Sequence, residues 1–181
     1  SGINFINFKQ QKKNKKIKQL LNETLKNRNE VVQSLDKKYK NSYKINKLRK
    51  FKTSKNFKII GMGGSTLGAQ AIYDFLKPYI KKNFEFIDNL QPIRKKKDNK
   101  NYTNFIISKS GNTIETIANS NILIRKKDKN IFITENKNNY LYLLAQKLKS
   151  EIIHHNNYIG GRFSVLSEVG MLPAEFMGLK T

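Results

Sequence analysis

Three short segments hold the residues best able to do chemistry, and each joins glycine to hydrogen-bond donors. The densest is Ser108-Lys109-Ser110-Gly111-Asn112-Thr113, where hydroxyls, an ammonium and an amide crowd around one glycine. A phosphate presents several acceptor oxygens. Convergent hydroxyls and backbone N–H groups at a helix start suit it better than one strong partner. That density favours phosphate binding over the alternative, a capping loop with Thr113 as cap and Thr116 in the first helical turn. The second segment, Gly61-Met62-Gly63-Gly64-Ser65-Thr66, lets a backbone turn tightly and approach a ligand. Taken alone it reads equally as a structural turn with Ser65 capping a helix. A dinucleotide fingerprint would need glycine where Thr66 stands, although Asp88 would suit a ribose, and a P-loop would need Gly-Lys-Ser or Gly-Lys-Thr. The third segment is Asn157-Tyr158-Ile159-Gly160-Gly161-Arg162-Phe163-Ser164. Its two glycines allow the chain to bend and aim the planar, always-charged guanidinium of Arg162 at an oxyanion or a carboxylate. An Arg in a surface salt bridge is the plain alternative. His154 and His155 are adjacent, so on a strand they point to opposite faces, and no ligand cluster surrounds them in sequence. No metal site is expected.

The elements around these turns alternate. Short apolar runs at 57–60, 84–88, 104–108, 130–134 and 151–153 read as strands, and segments 65–77, 113–124, 140–148 and a last one opened by Gly160-Gly161-Arg162 and running to Thr181 read as helices. Strands that alternate with helices pair in parallel, because a parallel connection needs a crossover. Runs apolar nearly throughout suit strands covered on both faces. The three turns follow strands one, three and five, so they reach the same edge of the sheet, where such folds bind ligands. Before residue 56 the chain is charged and nearly free of Gly and Pro. Ile17, Leu20, Leu21, Leu25, Val31, Val32 and Leu35 recur at helical spacing, which predicts helices over about 9–27 and 29–40. The expected division is a helical appendage over 1–55 that packs on an α/β domain over 56–181. Residues 89–101 are expected to be a solvated basic connection.

Composition narrows the function classes. With 36 Lys and Arg against 13 Asp and Glu, the formal net charge is +23. The basic residues are spread along the chain and accompany abundant Asn and Ile, residue types that share AT-rich codons, so the charge by itself does not specify a nucleic-acid partner. No cysteine is present, which excludes disulfides, thiolate metal sites and a cysteine nucleophile. No apolar run approaches the roughly 20 residues of a membrane span, and the first residues lack the pattern of a signal peptide. A cytoplasmic protein without membrane association is expected.

Taken together, the segments at 61–68, 108–116 and 157–170 resemble phosphoglucose isomerase: its first Gly-Gly-Ser loop, its serine/threonine phosphate loop and its Gly-Gly-Arg-Phe-Ser signature, in the family's order. The resemblance covers about 57–181 and implies a flavodoxin-like three-layer α/β/α sandwich with a five-stranded parallel sheet, preceded by the helical appendage. It implies interconversion of glucose 6-phosphate and fructose 6-phosphate, without a metal or organic cofactor, in a protein that works as a homodimer. Carried over residue by residue, Ser108, Ser110 and Thr113 hold the substrate phosphate, Lys109 contributes backbone, and Gly64 and Ser65 lie close by. Arg162 matches the family's arginine near the enediolate, and Glu115 a glutamate near the catalytic histidine. Asn112 stands where a threonine hydroxyl is usual, and Glu168 where a small residue is usual, so different packing of the helix after Arg162 is expected. The family's proton-shuttling glutamate, ring-opening histidine and late lysine all follow the signature. The expectation is therefore a chain that supplies phosphate-binding loops and an enediolate-stabilising Arg, that stops within a helical pattern before the catalytic base, and that by itself is inactive. The nearest rival reading is another sugar-phosphate protein of the same domain type, an aminosugar isomerase or a regulatory sensor. A basic nucleic-acid-binding module ranks after it.

Overall fold

The computed structural model describes residues 14–26, 30–36, 38–90, 100–125 and 127–181. In chain order these form α1 (Lys15–Lys26), α2 (Glu30–Gln33), a 3-10 helix (Ile45–Phe51), β1 (Asn56–Ile60), α3 (Gly64–Leu76), a 3-10 turn (Lys77–Tyr79), β2 (Asn83–Ile87) and β3 (Thr103–Ile107). There follow α4 (Ile114–Leu123), β4 (Lys129–Thr134), α5 (Tyr140–Lys147), β5 (Glu151–His154), a 3-10 helix (Gly161–Leu166) and α6 (Glu168–Met177).

The five strands make one wholly parallel sheet in the order β2-β1-β3-β4-β5. Side chains of a strand alternate between its faces, and here they feed two cores. Phe57, Ile59, Phe105, Ile107, Ile131 and Ile133 point to one face, where Ala69 and Tyr73 of α3 and Leu172 and Phe176 of α6 cover them. Ile60, Ile106 and Phe132 point to the other, beneath Ile117 of α4 and Leu141 and Ala145 of α5. The result is the expected three-layer α/β/α sandwich. Phe57 anchors the first core: its ring stacks on Phe84 at 4.8 Å and lies 5.7 Å from Phe176. Full burial of such a side chain contributes about 1.5–3 kcal/mol. Leu48 and Phe51 of the first 3-10 helix join the same core, and Tyr43 and Ile45 pack against it, so the segment before β1 is packed into the sandwich.

The structure corrects the expected helices near both ends. Of the helix expected at 9–27, the described part is α1, and its apolar stripe of Ile17, Leu20, Leu21 and Leu25 is exposed rather than packed. The helix expected over 29–40 ends at Gln33. Ser34 Oγ donates to the Val31 carbonyl, and Asp36 Oδ1 accepts the Lys38 N–H at 2.9 Å. Such local side-chain bonds offer the backbone an alternative to helix. Gly160-Gly161-Arg162 opens a 3-10 turn, not the last helix. That helix starts at Glu168 behind Ser167, whose Oγ accepts from the Val169 N–H, and it stops at Met177 because Gly178 takes a left-handed conformation with φ 95°. The chain's last residues are therefore outside any helix. Of the basic connection at 89–101, residues 91–99 lie outside the described residues.

Candidate functional site

β1 lies between β2 and β3, so the loops leaving β1 and β3 diverge to opposite faces of the sheet: α3 packs on one and α4 on the other. At such a switch point a crevice opens beyond the carboxyl ends of the strands. Here it is a cleft of about 290 Å³ lined by Met62, Ser65, Ser108, Lys109, Ser110, Thr113, Thr116 and Glu135. Ser65 sits in the first turn of α3, behind an N-cap at Gly63 with φ 55°, and it is not the cap that its position suggests. Thr113 is the N-cap of α4, yet its hydroxyl makes no capping bond and lies 2.9 Å from Ser108 Oγ. Thr116 is fully buried, and its Oγ1 has no hydrogen-bond partner among the described residues. Two helix starts and five hydroxyl-bearing residues thus line one space, the Thr116 hydroxyl being itself buried.

The loop after β3 is held from outside the cleft. Asn112 Oδ1 accepts the Tyr140 N–H at 3.0 Å, and the Gly111 carbonyl accepts the Leu141 N–H, so the loop is fastened to the start of α5. Gly111 has φ 68°, and a Cβ there would overlap the Asn139 side-chain amide, which leaves glycine as the fitting residue. Glu135, just beyond β4, completes the wall. Its N–H donates to the Lys109 carbonyl, its Oε1 lies 4.0 Å from Lys109 Nζ, and its Oε2 lies 2.8 Å from Lys137 Nζ. The hydrogen-bonded Lys137 ammonium holds its carboxyl below the usual range, against the opposing effect of burial.

The third turn docks onto the first. Ser164 Oγ donates to the carbonyls of Gly64 and Gly161, and a Cβ on Gly64 would overlap the Gly161 carbonyl. The two backbones therefore touch with no side chain between them. Arg162 rides on this contact but is exposed, with its guanidinium 5.8 Å from the Phe163 ring centroid. Glu115 is half-buried in the first turn of α4. Neither residue lines the cleft, and neither does Gly64, whereas Ser65, Ser108, Lys109, Ser110 and Thr113 do. Sequence reasoning gave no binding role to Thr116 or Glu135. For Thr116 the available signal was its spacing of three from Thr113, which puts both on one helix face.

A second polar cluster lies buried behind the third turn. Glu168 is fully buried, and its carboxylate accepts Tyr39 Oη–H at 3.0 Å and the Asn156 N–H at 3.0 Å. Asn156 Nδ2 donates to Tyr39 Oη at 2.7 Å. His155 is buried with Nδ1 3.6 Å from Glu168 Oε1 and 3.1 Å from the Asn156 carbonyl, and burial pushes its pKa down although Glu168 pulls the other way. Burial, then the Glu168 carboxylate, push the Tyr39 phenol above its usual range. His154, its neighbour, is exposed and accepts the Asn136 N–H at 3.1 Å.

Comparison with known proteins bears on the family and the fold. The family model for phosphoglucose isomerase matches residues 8–180. Glucose-6-phosphate isomerase of Methanocaldococcus jannaschii is 36% identical over 147 residues, which cover 75% of this chain and 36% of that protein. Glucose-6-phosphate isomerase of Acholeplasma laidlawii is 39% identical over 140 residues, 67% of this chain and 33% of that protein. The chain spans about a third of the length of these curated relatives. Among solved structures, a hypothetical protein of Thermus thermophilus superposes with a TM-score of 0.65 at 25% identity, over 75% of this chain and 37% of that one. Tagatose-6-phosphate ketose/aldose isomerase of Escherichia coli reaches 0.56 at 17% identity, over 72% and 39%, a likeness of fold alone. A match that runs from residue 8 to residue 180 takes in all three glycine turns and the sheet that carries them, and by it this chain belongs to the phosphoglucose isomerase family.

Proposed function

We propose that the cleft between the β1 and β3 loops binds the phosphate of a hexose 6-phosphate, and that the whole protein interconverts glucose 6-phosphate and fructose 6-phosphate. The observation that carries the reading is the convergence of Ser65, Ser108, Ser110, Thr113 and Thr116 on one space at two helix starts. Hydroxyls there serve as donors to phosphate oxygens, and the positive ends of α3 and α4 add to them. Lys109 contributes through the loop as well as through charge, since its carbonyl is tied to Glu135 N–H.

The reaction moves a proton between C2 and C1 through an enediol, which asks for a carboxylate base and for a cation near the developing oxyanion. Arg162 is the candidate cation, and what supports it is that its neighbour Gly161 packs against Gly64 at the start of α3. Glu115 is the candidate for orienting a catalytic histidine. The base, that histidine and a late lysine are expected beyond the segment matched here, so these 181 residues are expected to bind substrate without turning it over. A cytoplasmic homodimer is the proposed state of the whole protein.

A thermal-shift titration tests the binding reading. Fructose 6-phosphate should raise the unfolding temperature more than inorganic phosphate does, and the Ser108→Ala/Ser110→Ala variant should lose the difference. A hundredfold excess over Kd stabilises by about 2.7 kcal/mol. An equal shift in the variant would remove the cleft from the reading.

A further inference from the structure

Among the described residues Glu135 is the only carboxylate lining the cleft, and the binding of a phosphate gives it nothing to do. It is nine-tenths buried, with Lys109 inside the cleft on one oxygen and Lys137 on the other. Over the lining residues the formal charge is zero, because Lys109 and Glu135 cancel, although the chain as a whole carries +23. A cleft meant only to attract anions would carry no acid in such a chain. The hydroxyls reward each phosphate oxygen that they reach. The fixed carboxylate penalises every negative charge beyond what they and the helix starts can take up.

Resting on the phosphate-binding reading above, we infer that Glu135 is a specificity-determining residue that makes the cleft accept a single phosphoryl group and reject a diphosphate. A diphosphate places a second charged group directly beside the first, inside the same small cleft and close to the carboxylate. The sugar of a monophosphate ester adds hydroxyls there instead, and a hydroxyl can donate to Glu135. Lys137, on the outer oxygen, moderates the effect by neutralising part of the charge.

Two variants push the property in opposite directions. The measurement is calorimetric binding of fructose 6-phosphate, inorganic phosphate and pyrophosphate to the 181-residue chain at fixed ionic strength. For the unaltered chain, pyrophosphate should bind no more tightly than phosphate. Glu135→Gln, which keeps the shape and removes the charge, should shift the pyrophosphate-to-phosphate affinity ratio about tenfold toward pyrophosphate. Lys137→Ala should shift it the other way, by a smaller factor. Loss of fold would lower all affinities together in both variants and would not move the ratios oppositely. If fructose 6-phosphate binds and the ratio is the same in all three proteins, Glu135 has no selective role and the inference fails alone. If fructose 6-phosphate does not bind to the folded chain, the phosphate reading fails and the inference falls with it.

Discussion

A buried hydroxyl without a partner costs stability, and Thr116 holds one at the back wall of the cleft. A buried polar group left unsatisfied costs on the order of 1–3 kcal/mol, so Thr116→Val, nearly the same in shape, should leave thermal stability unchanged or raise it. A hydrogen bond to a charged phosphate oxygen is worth roughly 1.5–3 kcal/mol, so the same variant should weaken fructose 6-phosphate binding by about tenfold or more. Calorimetry and thermal melting on one sample read both. A fall in stability with unchanged affinity would make Thr116 a packing residue. The two effects of opposite sign separate a site kept for a ligand from one kept for the fold.

At the scale of elements, the junction of β5, α6 and the segment around Tyr39 depends on proton state. His155 is buried, and burial disfavours its charged form. Its pKa in the folded chain lies below the unfolded value, so the unfolded state binds the extra proton more readily. Its contribution to stability is therefore fully present above the unfolded value of about 6.5 and is lost as pH falls through it toward the folded one. The unaltered chain should melt several degrees lower at about pH 5.5 than at about pH 7.5, and His155→Gln should flatten that slope. An unchanged slope in the variant would assign the acid sensitivity elsewhere. The groups facing this imidazole also mark the limit of what the sequence discloses. The sheet, its parallel pairing and the glycine turns were legible because strand and helix periods are local. The burial of Glu168 was not, because its partner Tyr39 lies far away in sequence. Glu135 was hidden for a related reason: beside Lys137 it reads as a surface pair, and only the fold brings Lys109 to its other side. The brevity of α2 was written in Ser34 and Asp36, whose backbone bonds compete with the apolar spacing that suggested a longer helix.

At the scale of the whole molecule the charge dominates. An excess of 23 positive charges repels itself in the compact state more than in the expanded one. Salt screens this over a Debye length of about 10 Å at 0.1 M. Melting temperature should therefore rise as potassium chloride is increased from about 20 to about 300 mM, most steeply at the low end. A flat response would mean that local ion pairs such as Lys50–Glu151 already relieve the repulsion.

The strand order also sets a timetable. The cleft exists only where β1 meets β3, and Phe57 finds Thr103 only after the chain has travelled out through α3 and β2 and come back. Helices form in about a microsecond, while pairings between distant segments wait for a long loop to close. A chain recovering from denaturant will be helical well before the cleft exists. During that interval no ligand that binds only the formed cleft can rescue it.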